Sequence, residues 1–522
     1  MTRVDASAKK IKTLLLICML AFTGFDAFSA STNRTAKPNI VFILADDLGY
    51  GDVKCFNSDG KIPTPNLDRL ASEGMRFTDA HSSSAVCTPT RYSILTGRYN
   101  WRSRLKSGVL QGYSPRLIEP GRLTVSAFLQ QRGFATACIG KWHLGMDWPL
   151  KDGKFAKGIN DAATVDYAKP IQGGPNAVGF DHFFGISASL DMPPFVFIEN
   201  DRVAEMPTAE KKWIRAGPAG ESFEAENVLP RLTTKAADYI AQHAAATKQR
   251  KPFFLYLALN SPHTPILPTK EWRGKSGLND YADFVMETDA SIGRVLVELD
   301  KQGIADNTLV IMTSDNGCSP AAKFPELLAK GHNPSYHFRG TKADIFDGGN
   351  RVPLIVRWPN RIKPGSTSGQ LVCLVDFFRT CAEILGEKLP DTAAEDSVSL
   401  LPTLEGRTNS AVRETIVHHS INGSFSIREG KWKLELCADS GGWSDPKPGS
   451  VAAKTLSAIQ LYDLSRDIGE KENVADKNPD IVRRLTATLE KYVANGRSTP
   501  GSPQANAGTV EIRRRGNQTD GD

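Results

Sequence analysis

Polar side chains with catalytic or metal-binding chemistry follow four short apolar segments of the chain, directly after each segment ends. They are two aspartates, a lysine with a histidine, a second histidine, and an aspartate with an asparagine: Asp46 and Asp47, Lys141 and His143, His263, and Asp315 and Asn316. Ligands of open α/β sheets lie beyond the carboxyl ends of the strands, so strands of this kind would bring all four groups to one edge. The spacing therefore predicts one polar site assembled from four distant parts of the sequence.

The two acidic groups predict a site for a hard divalent cation. Asp46, Asp47, Asp315 and Asn316 offer only oxygen, and oxygen ligands suit Ca²⁺ or Mg²⁺. A zinc site would use more imidazole or thiolate than this set contains. Taken alone, the Asp46-Asp47 pair could equally cap a loop, and it is the matching pair at 315–316 that favours a metal.

The basic groups suit acid–base chemistry and the binding of an anion. Lys141 and His143 are two residues apart, so on an extended segment they face the same side. His263 lies between Pro262 and Pro265, which restrict the conformation of its loop. A solvated lysine and structural histidines are the ordinary alternatives, so the catalytic interpretation depends on these groups being brought together.

The elements that must position these groups indicate an α/β fold. Apolar residues are continuous over 40–44, 135–139, 253–259, 308–312 and 354–356, which is typical of strands covered on both faces. Helical patterns lie between them, at 66–73, 123–132, 228–246 and 281–302. We therefore predict a large, mostly parallel sheet flanked by helices, forming a catalytic domain over residues 37–405.

The sequence changes character beyond residue 405. A hairpin at 425–436, a strand at 459–464 and a helix at 481–493 predict a smaller α+β domain over residues 406–495. Residues 496–522 are rich in Gly, Asn, Gln and Arg, and we expect them to form a disordered tail.

The amino terminus has the layout of a secretory signal peptide. Basic residues at 9–12 precede the apolar residues 14–22, and a small-residue sequence at 28–30 predicts cleavage after Ala30. Residues 1–30 would then direct the protein through the export machinery to a secreted or periplasmic location. Loss of Cys18 leaves seven of the eight cysteines, an odd number, so at least one would be unpaired or modified in an oxidising compartment.

Composition excludes several classes of protein. With 40% hydrophobic and 23% charged residues, the 522-residue chain has an ordinary globular composition. No apolar run reaches the roughly 18 residues of a membrane helix, so we expect no membrane-spanning segment. A net charge of only +6 gives no electrostatic footprint for a nucleic acid.

The sequence Cys-Thr-Pro-Thr-Arg at 87–91, followed by Thr-Gly-Arg at 96–98, resembles the signature of the formylglycine-dependent sulfatases, members of the alkaline phosphatase superfamily. The resemblance covers residues 37–480. The four polar groups match the family's metal and active-site motifs, and Lys342 within 339–353 matches its last active-site lysine. One departure is Asp347, where the family has a glutamate before paired glycines, and it leaves Lys342 undisturbed.

The resemblance implies an arylsulfatase-like sulfuric ester hydrolase with the alkaline phosphatase-like fold. A separate maturation enzyme would oxidise Cys87 to formylglycine, whose hydrate attacks sulfur. One divalent cation would be bound, with Ca²⁺ favoured over Mg²⁺. Its implied ligands are Asp46, Asp47, Asp315, Asn316 and the converted Cys87.

The resemblance also implies a role for each basic residue. Arg91 would hold the formylglycine hydrate, and His143 would act as base in the elimination of sulfate. His263 would protonate the leaving alcohol, and Lys141 and Lys342 would bind sulfate oxygens as charge develops. The implied substrate contacts are Lys141, His263, Lys342 and Ser189, the last of which resembles the family's serine near the sulfate.

The leaving group stays open at this point. Export favours a sulfated carbohydrate, and Asp191, Trp213, His332 and His337 are candidates for contacts with it or for structural roles. Phosphonate monoester and phosphodiester hydrolases share the fold, and sulfate and phosphate are both tetrahedral oxyanions, so this alternative remains. A two-metal phosphatase would need further ligands, for which His332, His337, His418 and His419 lie in no clear paired motif. A non-catalytic exported binding module is a third alternative, and it would be expected to have damaged site residues.

Overall fold

The computed structural model describes residues 37–249 and 251–513, and the signal peptide predicted at 1–30 lies outside them. The strands are β1 (Asn39–Ala45), β2 (Met75–Phe77), β3 (Ala80–His81), β4 (Ala135–Lys141), β5 (His182–Ile186), β6 (Ile198–Glu199), β7 (Arg202–Val203), β8 (Ala209–Lys212), β9 (Ala216–Ala219), β10 (Phe253–Ala258), β11 (Thr308–Ser314), β12 (Leu354–Arg357), β13 (Ser366–Ser368), β14 (Val372–Cys373), β15 (Thr415–His419), β16 (Phe425–Glu429), β17 (Trp432–Glu435) and β18 (Gln460–Asp463). The α-helices are α1 (Pro65–Glu73), α2 (Cys87–Thr96), α3 (Val125–Gln130), α4 (Val228–Lys248), α5 (Asp280–Lys301), α6 (Phe324–Ala329), α7 (Asp347–Asn350), α8 (Phe377–Ile384), α9 (Leu401–Leu404), α10 (Val451–Lys454) and α11 (Pro479–Asn495).

The largest sheet has ten strands in the order β13-β2-β12-β11-β1-β10-β4-β5-β6-β7. Its centre, from β11 to β5, is parallel, with Ala45 of β1 opposite Ser314 of β11 and Leu44 opposite Ala258 of β10. The predicted large, mostly parallel sheet is therefore confirmed. One detail differs, because β12 runs antiparallel to β11. A run of apolar residues predicts burial on both faces but does not encode the direction of the strand.

Alternate residues of the central strands face two separate hydrophobic cores. In β1, Phe42 and Leu44 pack into one core and Val41 and Ile43 into the other. Helices α2, α3 and α8 contribute to the first core, and helices α1, α4 and α5 contribute to the second. Because helices cover both faces of the sheet, these strands carry apolar residues on both faces.

Residues beyond 406 form a second, antiparallel sheet in the order β15-β16-β17-β18. Helix α11 packs on it through Leu485 and Leu489, which share a core with Leu434 of β17. Tyr99 and Trp101 from the larger part of the chain belong to the same core. A small C-terminal sheet unit is thus present, and the boundaries at 405 and 495 stay predictions.

The segment after α11 differs from the expected disorder. The backbone N–H of Ala507 donates to the Arg102 carbonyl at 2.7 Å, and Val510 and Ile512 pack against the C-terminal core. The polar composition of this segment gave no signal that these few residues would make packing contacts. Residues 514–522 of the expected tail lie outside the described part of the chain.

Two further findings concern the residues that the structure describes. No helix among them is long and apolar enough to cross a bilayer. The seven cysteines from Cys55 to Cys437 are all free thiols.

Candidate active site

The parallel strands bring the four polar groups to one edge of the sheet. Asp46 and Asp47 follow β1, Lys141 ends β4, His263 follows β10, and Asp315 follows β11. Since β11, β1, β10 and β4 are neighbours in this order, their carboxyl ends lie side by side. Local close packing supports the arrangement, because a Cβ at Gly140 of β4 would overlap the Ala258 carbonyl of β10.

Acidic oxygens converge at this edge. Ligand atoms of Asp46, Asp47 and Asp315 all lie within 4.8 Å of one another, and so do those of Asp46, Cys87 and His263. Asp47 has φ of 67°, an uncommon backbone conformation that turns its carboxylate to Asn316 and Lys342. Oδ1 of Asp46 and Oδ1 of Asn316 are buried without a hydrogen-bond donor among the described residues. Unpartnered, converging oxygens of this kind fit a hard cation.

Each carboxylate of this cluster also has at least one basic partner. Nζ of Lys141 donates to Asp46 Oδ2 at 2.6 Å, and Nζ of Lys342 donates to Asp47 Oδ2 at 2.9 Å. Arg91 donates to Asp315 Oδ2 twice, from Nε at 3.0 Å and from Nη2 at 2.8 Å. The side chains of all these residues are buried. The basic groups therefore hold the acidic cluster in place.

The charges shift the pKa values of the buried acids in opposite directions. Burial opposes ionisation of Asp46, but Lys141, His263 and Arg91 outweigh it and lower the pKa of that carboxyl. Burial and the adjacent Asp46 raise the pKa of Asp315 well above its ordinary value. The protein's own basic groups thus favour ionisation of Asp46 more than that of Asp315, and a bound cation would favour ionisation of both.

Cys87 is the first residue of α2 and is 2% exposed. Burial opposes ionisation of its thiol, but Lys141, Lys342 and His143 outweigh burial and lower the pKa of Cys87 well below its ordinary value. Residue 87 thus lies where negative charge is stabilised from several sides.

His143 has a defined tautomer. Its Nε2 is 2.7 Å from the Leu110 carbonyl, which only accepts hydrogen bonds, so Nε2 carries the proton. Burial and Lys141 lower the pKa of His143, which favours the neutral ring. The Nδ1 lone pair is buried, and the Cys87 side chain interacts with the His143 ring, which opposes the lowering of the pKa of His143. A neutral His143 ring with its proton on Nε2 can accept a proton at Nδ1.

His263 is arranged in the opposite way. Its Nδ1 donates to the Thr264 carbonyl at 2.6 Å, and its Nε2 lies 3.7 Å from Asp47 Oδ2. Burial and Lys342 lower the pKa of His263, but Asp46 and Asp47 outweigh them and raise it. A raised pKa favours the protonated ring, which can donate a proton.

Ser189 lies in the loop after β5. Its Oγ is buried without a hydrogen-bond partner among the described residues. Two residues earlier, the Ser187 carbonyl accepts the backbone N–H of His143 at 2.9 Å, which ties this loop to the site.

The other candidates for substrate or metal contacts that the sequence offered interact with other side chains. His332 is fully buried and bonds Asp52 at 2.8 Å, so it is not available for the substrate contact considered above. Trp213 packs on Phe195 and Phe223. The remaining candidates also have partners: Asp191 with Arg215, His337 with Tyr336, His418 with His81 and Ser426, and His419 with Asn100.

Two groups at the site had no assigned role from the sequence. Asn260 lies two residues after the end of β10 and has a buried Oδ1 without a donor among the described residues. Its position after an apolar segment was the available signal. The Leu110 carbonyl, which sets the tautomer of His143, is a backbone atom of a distant loop and carries no sequence signal.

Comparisons with known proteins agree with this arrangement. The family model described as Sulfatase matches residues 38–387, and a model described as N-sulphoglucosamine sulphohydrolase, C-terminal, matches residues 340–437. An N-acetylgalactosamine-6-O-sulfatase of Bacteroides thetaiotaomicron is 33% identical, covering 88% of this chain and 93% of that protein. Human arylsulfatase A is 33% identical, covering 88% of each chain. A solved sulfatase structure, from work on glycosaminoglycan metabolism by Bacteroides thetaiotaomicron, aligns with a TM-score of 0.75 and 33% identity over 88% of this chain and 99% of that one.

Proposed function

The chain belongs to the sulfatase family and hydrolyses sulfate esters, and on this premise we propose that its substrate is a sulfated carbohydrate. Relatives named as N-acetylgalactosamine-6-sulfatases support this substrate class, one bacterial and one from mouse. The similar solved structure from work on glycosaminoglycan metabolism supports it as well. We propose further that Cys87 is converted to formylglycine and that one divalent cation, Ca²⁺ in preference to Mg²⁺, is bound.

One observation carries the proposal about the nucleophile. Cys87 is buried at the start of α2 with Lys141, Lys342 and His143 near enough to lower the pKa of its thiol. The same residue shares a group of closely spaced ligand atoms with Asp46 and His263. A buried cysteine without a chemical role ordinarily lies among apolar side chains, as Cys381 does, where burial raises the pKa of the thiol.

The proposed cation ligands are Asp46, Asp47, Asp315, Asn316 and residue 87. The fit is supported by the unpartnered oxygens of Asp46 and Asn316 and by a donor set that is otherwise all oxygen. When bound, the cation supplies positive charge that acidifies the hydroxyl of the hydrated aldehyde. Arg91 keeps Asp315 in position through its two hydrogen bonds.

The remaining residues bind the sulfate and move protons. Lys141 and Lys342 flank residue 87 and would bind sulfate oxygens as their charge grows, and the unpartnered Ser189 hydroxyl would donate to the same group. Neutral His143 would accept the proton whose removal releases sulfate. Protonated His263 would donate a proton to the leaving alcohol.

Export is proposed from the sequence alone. The basic residues at 9–12, the apolar residues 14–22 and the small residues before position 31 support a signal peptide cleaved after Ala30. A secreted or periplasmic enzyme would meet sulfated polysaccharides directly.

Mass spectrometry of the tryptic peptide 77–91, from protein purified out of its native host, tests the nucleophile. We expect an aldehyde or its hydrate at Cys87, and an unmodified thiol in fully active enzyme would overturn the proposal. Cys87→Ala should abolish turnover at an unchanged melting temperature, whereas the control Cys55→Ala should keep its turnover.

The substrate class is tested with sulfated saccharides, with phosphonate monoesters and phosphodiesters as competitors for the same enzyme.

A further inference from the structure

A glycine-rich loop after β17 packs tightly against the segment that carries Lys342. The loop has the sequence Asp-Ser-Gly-Gly-Trp-Ser at 439–444. A Cβ at Gly442 would lie 2.5 Å from the carbonyl carbon and oxygen of Ala343, the residue next to Lys342. Only glycine allows this approach of the two backbones.

Asp344 fastens the same loop by hydrogen bonds. Its buried Oδ1 accepts the backbone N–H of Trp443 at 2.7 Å and that of Ser444 at 3.0 Å. Its Oδ2 accepts the backbone N–H of Thr341 at 2.8 Å. One carboxylate therefore holds the backbone of Trp443 and the turn around Lys342 in a fixed relation.

The side chain of Trp443 is partly exposed to solvent. It is 43% exposed, whereas Trp101, Trp142 and Trp148 are fully buried. Covalent geometry and the close approach of Gly442 keep the Cα atoms of Trp443 and Lys342 within about 13 Å of each other. A partly exposed aromatic residue is thus held by its backbone against the segment that carries Lys342.

We propose that the Trp443 side chain binds a sugar ring of the sulfated carbohydrate. This ring is either the one that carries the sulfate or the next one. This inference rests on the proposed function. A pyranose ring presents C–H groups on one face, and these pack on the flat face of an indole with little loss of side-chain freedom. A sugar ring is about 5 Å across by the same covalent geometry, so one or two rings span the distance from Lys342.

The test compares Trp443→Ala, Trp443→Phe and Val451→Ala, each matched to wild type in formylglycine content. Val451 is an exposed apolar residue in the same part of the chain, at 81% exposure, and serves as the control. Truncation of the indole removes apolar contact area that corresponds to about a tenfold change in affinity. We expect KM for a sulfated oligosaccharide to rise about tenfold in Trp443→Ala, to rise less in Trp443→Phe, and to stay unchanged in Val451→Ala.

A second readout separates binding of the sugar from damage to the loop. Inorganic sulfate, as a competitive inhibitor, should bind the lysines without reaching Trp443, so its inhibition constant should be unchanged in Trp443→Ala. An unchanged KM, or a weaker inhibition by sulfate together with a lower melting temperature, would overturn the inference while leaving the proposed function intact. Failure of formylglycine-containing wild type to hydrolyse any sulfated saccharide would overturn the proposed substrate class, and the inference with it.

Discussion

Replacing Lys433 by methionine should weaken both the fold and the site. Lys433 is fully buried on β17, and its Nζ donates to Glu470 Oε1 at 2.6 Å, to Asp347 Oδ1 at 3.0 Å and to the Ile345 carbonyl at 3.0 Å. The same Nζ lies 3.3 Å from Glu435 Oε1. One ammonium group therefore neutralises several buried carboxylates and connects the C-terminal sheet to the segment that carries Lys342.

The magnitude follows from the buried charge. Removing one partner of a buried ion pair costs about 3–5 kcal/mol, because it leaves the other charge uncompensated. An unfolding entropy of about 2.1 cal/mol/K per residue gives a chain of this size about 1 kcal/mol/K, so the melting temperature should fall by about 3–5 °C. Methionine keeps most of the volume of the lysine stem, so packing should contribute little.

The loss of stability in Lys433→Met should also depend on pH. Burial raises the pKa of Glu435 well above its ordinary value and raises that of Glu470. The folded protein therefore binds more protons at these sites than the unfolded chain, so their contribution to stability falls as the pH rises above the ordinary glutamate range. Without Lys433 both pKa values should rise further, and the destabilisation should be larger at pH 8 than at pH 5.

Thermal unfolding followed by circular dichroism at the two pH values is the assay, with Lys431→Met as the control. Lys431 pairs with Asp463 at 2.7 Å, but its side chain is 47% exposed, so its loss should cost less than about 1 kcal/mol. Equal losses for the two variants would refute the reasoning. So would a loss in Lys433→Met that is the same at both pH values, since packing rather than charge would then explain it.

Three further changes have expected outcomes. Chelation of divalent cations should lower the hydrolysis of a sulfate ester about tenfold or more, with recovery on adding Ca²⁺ or Mg²⁺, and an unchanged rate would contradict the cation proposal. His143→Asn should lower kcat by about 10²- to 10⁴-fold, as loss of a general base does, with only a small fall in melting temperature because the Leu110 carbonyl loses its donor, and near-normal turnover would assign the proton transfer elsewhere. Arg102→Met should cost about 3–5 kcal/mol of unfolding free energy, because Asp396 then loses both hydrogen bonds of a fully buried pair. The exposed pair of Arg407 with Glu383 is the matched control, and Arg407→Met should leave the midpoint of denaturant unfolding almost unchanged.

The central sheet could be predicted because its strands are buried on both faces. Strands β1, β4, β10 and β11 are continuous apolar segments, and parallel neighbours bring the residues that follow them to one edge. The polar groups at 46–47, 141–143, 263 and 315–316 were therefore expected to meet, and their side chains do lie together. Their catalytic roles stay predictions.

Other parts of the fold had no comparable signal. Strand β2 has three residues with a central arginine, and β5 begins with a half-buried histidine, so neither forms a long apolar run. The contacts of Asp344 with the loop at 439–444 join residues about a hundred positions apart through backbone N–H groups, which no side-chain pattern encodes. The segment at 497–513 is held by isolated anchors in a polar sequence, so its composition predicted disorder where the structure has contacts.

The charges at the site explain why this chemistry would need both its lysines and a cation. Lys141 pairs with Asp46, Lys342 with Asp47 and Arg91 with Asp315, so a carboxylate lies against each of these three basic groups. Each carboxylate opposes the attraction of its basic partner for an anion, since two unit charges 4 Å apart interact by about 4 kcal/mol near a protein surface. In the proposed enzyme, a divalent cation shared by the same carboxylates leaves the site with a surplus of positive charge. That surplus matches a sulfate ester, which carries one negative charge, and the sulfate product, which carries two. The carboxylates therefore keep the lysines in place for the anion, and the cation makes the anion's binding favourable.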